Sequence, residues 1–380
     1  MTLGVYSTMT GMPWGGSEQL WCRSALQLIR QGHDLTVNVM WWPDLPEQLQ
    51  RLQRQGATLH RRRRGSDRPW TMRLQDGIAR RLGFDQYRAE QWLADQQPDL
   101  VLVSASWHLD DLSIAHACLD SDIPYVLSLQ CASPYHWAGD EQARAYRRAY
   151  QNAEHCFFLS KENRRIVETM TGATLPNATI VDNPINVDPD SPPAWPANSD
   201  AWRMACVGRL HCKSKGQDLI LECLRRTKWR SRNLHVSFYG RDQDSEERLR
   251  KFVDVYNLTG QVSFKGHQPL ESIWRNNHAL LLPSRYEGLP MATLEASLWG
   301  RPAVVTDCGR NDVFVDDGET GFLIPAPTAS LLDNRLEMAW KRRQDWKHMG
   351  AEAAERIRTR YGASPVSTFA NHLSHFLQQV

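Results

Sequence analysis

The sequence predicts an α/β protein of two domains, each a parallel sheet covered by helices, on three observations. The chain has 380 residues, more than one ordinary hydrophobic core takes up, so two domains are expected. Short apolar runs alternate with stretches of helical period along most of the length, and strand–helix alternation specifies parallel sheets. A Pro-dense segment, Ser191-Pro192-Pro193-Ala194-Trp195-Pro196, interrupts that alternation in mid-chain, where neither sheet nor helix can continue.

The apolar run Leu3-Gly4-Val5-Tyr6 opens the chain as a strand. Further strands are expected at Leu35–Met40, Leu100–Ser104, Tyr125–Leu129, Cys156–Leu159, Met204–Val207, Leu234–Tyr239, Val262–Phe264, Ala279–Leu282 and Ala303–Thr306. All are short, continuous and rich in Val and Leu, as strands buried on both faces must be. Helices are expected between them, at Ser17–Gln31, Asp140–Asn152, Lys161–Met170, Gln217–Arg226 and Ser245–Val255. The resulting division is a first domain over 1–190, a linker over 191–200, a second domain over 201–360 and a terminal segment over 361–380. Val366–Val380 reads as a helix whose packing partner the sequence leaves open.

Composition excludes some classes and names no partner. The net charge is +2, with 41% hydrophobic and 23% charged residues. Charge is less even locally: Arg51 to Glu90 holds eleven Arg and no Lys against four acids, an excess of +7. The run Arg61–Arg64 at its centre reads either as a solvated loop or as a contact for an anionic membrane surface or acidic acceptor. The eight cysteines form no C-x-x-C pair and several lie in apolar runs, which reads as reduced, buried thiols. No signal-peptide pattern and no 18-residue apolar run is present, so a cytoplasmic protein is expected.

Three segments carry chemistry. In Pro283-Ser284-Arg285-Tyr286-Glu287-Gly288-Leu289-Pro290, a strand runs into a polar turn, and a helix follows with Gly300 placed to end it. Glu287 and Gly288 then lie at the carboxyl end of a parallel strand, where α/β folds bind ligands and a helix N-terminus favours anions. Glu295, within that helix, can accept hydrogen bonds from hydroxyls; equally, the two acids can be a dipole-complementing carboxylate and a solvent-facing one. In Cys206-Val207-Gly208-Arg209-Leu210, a strand ends in Gly-Arg, with Lys215-Gly216 before the next helix. Two cations on one strand-to-helix turn can grip a diphosphate, or be a solvated basic loop. In Gly11-Met12-Pro13-Trp14-Gly15-Gly16-Ser17-Glu18, paired glycines let backbone amides approach a phosphate, or are plain loop geometry, and Ser17 suits an N-cap. Asp242-Gln243-Asp244 has a metal-binding D-x-D form but sits where a solvated turn is expected.

Taken together these segments resemble the retaining family-4 glycosyltransferases, of the GT-B fold with two facing Rossmann-like domains. The spacing of Glu287 and Glu295, the Gly208-Arg209-Leu210 to Lys215-Gly216 turn, Asn183-Pro184-Ile185-Asn186-Val187-Asp188 and Gly318-Glu319-Thr320-Gly321-Phe322-Leu323 carry the likeness, over nearly the whole chain. The resemblance implies that Arg209 and Lys215 hold the leaving diphosphate, Glu287 faces the transferred sugar and Glu295 the ribose. It also implies that amides at Gly16, Gly208, Gly288 and Leu289 cradle the donor. One departure bears on the acceptor side: the family often has His where Gln130 follows Tyr125–Leu129. Gln130 cannot act as a base, and His108 and His136 are the candidates to stand in.

The implied function is transfer of a sugar, with retention and without a metal or cofactor, from a nucleotide diphosphate-sugar to a hydroxyl on a glycan, lipid or small molecule. A nucleotide-sugar epimerase on the same fold and a catalytically silent sugar-nucleotide-binding protein are the rivals. Nothing points to nucleic acid as a partner. Peripheral contact with the inner face of a membrane is a second reading of the basic stretch.

Overall fold

The structure is a computed structural model and describes residues 1–62, 87–197, 201–361 and 364–379. Most of the basic stretch, including Arg63 and Arg64, lies outside the described residues. The chain forms two compact units: Met1–Pro184 with Ala363–Val380, and Ile185–Gly362.

Among the described residues, unit 1 is a seven-stranded sheet. Its strands are β1 (Thr2–Ser7), β2 (Asp34–Met40), β3 (Thr58–Arg62), β4 (Leu100–Ala105), β5 (Tyr125–Leu129), β6 (His155–Phe158) and β7 (Ala178–Ile180). Their order is β3-β2-β1-β4-β5-β6-β7, and every pairing is parallel. The central strands are mostly apolar because helices cover both faces; β4 and β5 have no exposed position, their one serine each included. On one face Trp92, Val101, Val103, Ile114, Leu127 and Phe158 join a continuous core. The helix Lys161–Thr171 begins where Ser160 accepts the Asn163 amide and ends at Gly172 in the left-handed conformation, caps that are each worth about 1 kcal/mol.

Residues 364–379 do not stand apart from this unit. The helix Pro365–Leu377 starts on a Ser364 cap with Pro365 in its first turn. It packs on the helix Gln19–Arg30, with Ser24 donating to the Val366 carbonyl at 3.0 Å. Phe369 meets Phe157 edge-on at 4.9 Å between ring centres.

Unit 2, among the described residues, is a six-stranded parallel sheet: β8 (Trp202–Val207), β9 (Leu234–Tyr239), β10 (Val262–Gly266), β11 (Ala279–Leu282), β12 (Ala303–Thr306) and β13 (Gly321–Ile324). The order is β10-β9-β8-β11-β12-β13. The division of the chain at Pro184 precedes the Pro-dense segment, because that segment is fastened to unit 2. Arg301, 3% exposed, donates to the carbonyls of Pro193 and Ala194 and lies over the Trp195 ring. Trp299 donates to the Asp188 carbonyl at 2.7 Å.

Two readings are corrected. Arg61 and Arg62 are not loop residues: they end β3, paired with Val39 and Met40. Arg62 folds onto the sheet, 4.3 Å from the Tyr6 ring centre, and donates to Asn38 and the Ser7 carbonyl. Ser17 is not the N-cap of the first helix; Glu18 occupies that position, and the Ser17 hydroxyl points to the Met9 sulfur. All eight cysteines are free thiols, six of them buried.

Candidate active site

The site in unit 2 is built on two neighbouring strand ends. β11 pairs with β8 through Ala279–Met204 and Leu280–Ala205, so the chains leaving both strands emerge side by side at the carboxyl edge. From β8 the chain passes Gly208 and Arg209 into the short helix Cys212–Lys215 and turns at Gly216. Gly216 has φ +66°, and a Cβ there would stand 2.1 Å from the Pro283 carbonyl oxygen. Only glycine lets the two chains approach so closely.

From β11 the chain runs through Pro283–Leu289 into the helix Met291–Leu298, with Pro290 as its N-cap rather than its first helical residue. Glu287 is 7% exposed. Its Oε1 accepts the Ser284 hydroxyl at 2.7 Å and the Lys215 ammonium at 2.6 Å. Lys215 reaches it by laying its methylene stem over Gly208, within 3.4 Å of where a Cβ would stand. The sequence-predicted phosphate and sugar residues thus meet in one charge-assisted contact. A third chain presses on the same loop: Gly309, at φ +65°, has its Cβ position 2.9 Å from Glu287 Cβ and 3.0 Å from the Gly288 carbonyl.

Glu295 lies one helix turn beyond, 6% exposed, where its Oε1 accepts the Asn186 amide at 3.2 Å. Burial raises its pKa to about 7, opposed by that hydrogen bond. It is not the solvent-facing glutamate that the simpler reading allowed. Gly288 and Leu289 are buried, whereas Arg209 is exposed and its carbonyl accepts Gln217 at 2.8 Å; the Gly208 amide, expected on the donor, instead donates to the Tyr239 carbonyl at 2.8 Å. Asp242 of the D-x-D triplet accepts the amides of Ser245 and Glu246 at the start of the helix Glu246–Val255, so its role is a cap.

In unit 1 the remaining candidates lie at the carboxyl edge of their own sheet. Gly16 begins a single 3₁₀ turn, and a Cβ on it would meet nothing within 4 Å. Gln130 is 5% exposed and bound to the Asn183 amide at 3.2 Å. His108 is 1% exposed; its Nε2 donates to the His136 carbonyl at 2.9 Å, which fixes the tautomer. Burial lowers its pKa, and its Nδ1 has no partner among the described residues. His136 is exposed, with Nδ1 3.2 Å from the Ser133 hydroxyl.

Sequence reasoning gave no role to four residues that the structure places at these edges: Ser284, Arg285, Asn186 and Glu18. Glu18 is 2% exposed and its Oε1 has no hydrogen-bond partner among the described residues; burial raises its pKa to about 7. A glutamate directly after Gly15-Gly16-Ser17, at a helix start, was the available signal.

Comparison with known families accounts for the arrangement. The family described as glycosyl transferases group 1 matches residues 187–356, and Glycosyltransferase Family 4 matches residues 14–189. The chain belongs to the family-4 glycosyltransferases of the GT-B fold. The UDP-N-acetylglucosamine–peptide N-acetylglucosaminyltransferase GtfA subunit of Streptococcus gordonii is 29% identical over 101 residues, 26% of this chain and 20% of that protein. The alpha-D-kanosaminyltransferase of Streptomyces kanamyceticus is 29% identical over 122 residues, 31% of each chain. The matched segments therefore span between a fifth and a third of those relatives' own length. Among solved structures, Anabaena HepE in complex with UDP and glucose shares the fold along 100% of both chains, at TM-score 0.76 and 16% identity. No helix among the described residues is long and apolar enough to cross a membrane.

Proposed function

We propose that this family-4 chain is a retaining glycosyltransferase. It would move a hexosyl group from a nucleotide diphosphate-sugar to a hydroxyl of a glycan, lipid or small molecule, without a metal. The observation that supports this most is the meeting of Lys215, Glu287 and Ser284 at the ends of β8 and β11, with Glu295 one helix turn beyond. Lys215 and exposed Arg209 neutralise the departing diphosphate, Glu287 binds hydroxyls of the transferred sugar, and Glu295 with Asn186 takes the ribose hydroxyls. The amides of Gly288 and Leu289 at the helix start face the same charge.

The reaction this supports is front-face displacement. The bond from the anomeric carbon to the phosphate oxygen breaks, and the acceptor oxygen bonds on the same face. The acceptor proton passes to the departing phosphate, whose negative charge the cations hold. No protein base is needed, which suits a unit 1 edge where Gln130 is an amide and His108 has its Nε2 engaged. His108, Gln130 and His136 then serve to seat the acceptor, and Gly16 offers amides to the donor. HepE was crystallised with UDP and glucose, so UDP-hexoses head the donor screen, followed by GDP- and ADP-sugars.

The test is thermal stabilisation by each donor, then NMR of the product formed by the stabilising donor with hexoside and lipid-linked acceptors. Retained anomeric configuration in the presence of a chelator is expected. An inverted product, or activity that needs Mn²⁺, refutes the proposal.

A further inference from the structure

Lys215 and Glu287 stand on two chain segments that no sheet hydrogen bond joins, since the pairing of β8 with β11 ends at Ala205 and Leu280. Beyond the packing of Gly216 on Pro283 and the Lys215–Glu287 pair itself, Arg285 ties the two segments together. Its amide donates to the Ser214 carbonyl at 2.7 Å. Its guanidinium meets Asp218 as a two-pronged fork, Nη1 to Oδ1 at 2.8 Å and Nη2 to Oδ2 at 2.7 Å, and Nη1 also donates to the Cys212 carbonyl. One residue of the Glu287 loop therefore grips both the short helix that carries Lys215 and the first turn of the helix Gln217–Leu224 behind it.

We propose that Arg285 and Asp218 are positioning residues for the diphosphate site, a clamp that sets the distance between Lys215 and Glu287. The proposal rests on the donor reading given above. Both side chains are partly exposed, 25% and 28%, so water screens the pair in part and limits its contribution to folding. Their geometry, however, is that of planar bidentate recognition, which fixes direction as well as distance. Lysine cannot supply it, being a point charge without a fork. The clamp leaves the charges of Lys215 and Glu287 themselves untouched, so its value lies in where they stand. Misplacement of binding groups by about 1 Å costs on the order of 100-fold in a reaction that depends on orientation.

The experiment is calorimetric titration of UDP, GDP and ADP and of the matching nucleoside monophosphates into wild type, Arg285→Lys, Arg285→Ala and Asp218→Asn, with melting temperatures measured alongside. Wild type should prefer one diphosphate over its monophosphate. Each variant should lose about tenfold in diphosphate affinity and less than about twofold in monophosphate affinity, because only the diphosphate needs Lys215 in place. Melting temperatures should stay within about 3 °C of wild type. Equal losses for both ligands, or an Arg285→Lys protein with wild-type preference, overturn the clamp. A wild type that binds none of the three diphosphates overturns the donor reading itself, before any variant is compared.

Discussion

The two sheets share one strand order about their first strands, third-second-first-fourth-fifth-sixth, the doubly wound order of dinucleotide-binding folds. Their carboxyl edges handle polarity differently. In unit 2 charges face charges: Lys215 with Glu287, and Arg285 with Asp218. In unit 1 the three candidates at the edge are neutral or held close to neutrality, although Arg62 and Asp110 stand near them. His108 is kept neutral by burial, Gln130 is tied to Asn183 as amide to amide, and buried Glu18 holds its proton up to about pH 7. A charge-paired edge suits an anionic ligand, because a diphosphate arriving there exchanges one counterion for another and leaves no buried cation bare. An edge of neutral hydrogen-bonding groups suits hydroxyls.

The largest effect should come from breaking the charged edge at Glu287. In Glu287→Ala the Cβ that Gly309 packs against remains, so the loop keeps its frame while the carboxylate is lost. Turnover should fall by about 10²–10³. Nucleoside diphosphate affinity should hold or tighten, since Lys215 no longer divides itself between Glu287 and phosphate. Steady-state rates beside calorimetry check this, and an enzyme with normal turnover removes Glu287 from the chemistry.

Lys215→Ala should cost less and show elsewhere. It deletes one charge-assisted contact to the diphosphate, about 1.5–3 kcal/mol of binding, and leaves Ser284 as the recorded partner of Glu287. Calorimetry with the diphosphate that binds wild type reads the loss. Unchanged affinity would mean that exposed Arg209 alone, or the backbone amides, carry the charge.

That these two residues could be picked from sequence while their support could not has a physical reason. The strand bounds Tyr125–Leu129, Leu234–Tyr239, Ala279–Leu282 and Ala303–Thr306 are read directly, because a strand buried on both faces is a predominantly apolar run. β3 escapes the same reading: it is an edge strand, half-exposed, and ends in Arg61 and Arg62. Glu287 and Glu295 are eight residues apart on one loop and helix, so local spacing reveals them. Arg285 and Asp218 are 67 residues apart and become neighbours only because β11 lies beside β8. No local pattern encodes that adjacency. Glu18 escapes for another reason: an acid at a helix start is ordinarily exposed, and only tertiary packing makes this one 2% exposed.

Each edge holds one buried acid whose pKa burial raises from 4.5 to about 7, Glu18 in unit 1 and Glu295 in unit 2, and this pair gives the finest test of the contrast. For both, the folded state binds the proton more tightly than the unfolded chain. Stability therefore falls as pH rises from about 4.5 to 7, and the full cost, at most about 3.4 kcal/mol each at 1.36 kcal/mol per unit, applies above that. Removing the charge with Glu18→Gln should raise stability at pH 8, with no gain near pH 4.5. The Ser7 hydroxyl, which stabilises the carboxylate, would lose a charged acceptor, so a net gain of about 1–2 kcal/mol is expected. Denaturant melts of wild type and Glu18→Gln at the two pH values measure it, and equal stabilities at pH 8 would mean that Glu18 is ionised at no cost. Glu295→Gln should show the same gain, yet the two should part on binding. Ribose hydroxyls donating to Glu295 favour its ionised form, so nucleoside diphosphate binding near pH 6.5 should release a proton, seen as a binding enthalpy that varies with the buffer's ionisation heat. Glu295→Gln should abolish the release and Glu18→Gln should preserve it. Release that survives in Glu295→Gln and disappears in Glu18→Gln would move the ligand's hydroxyls to the other edge.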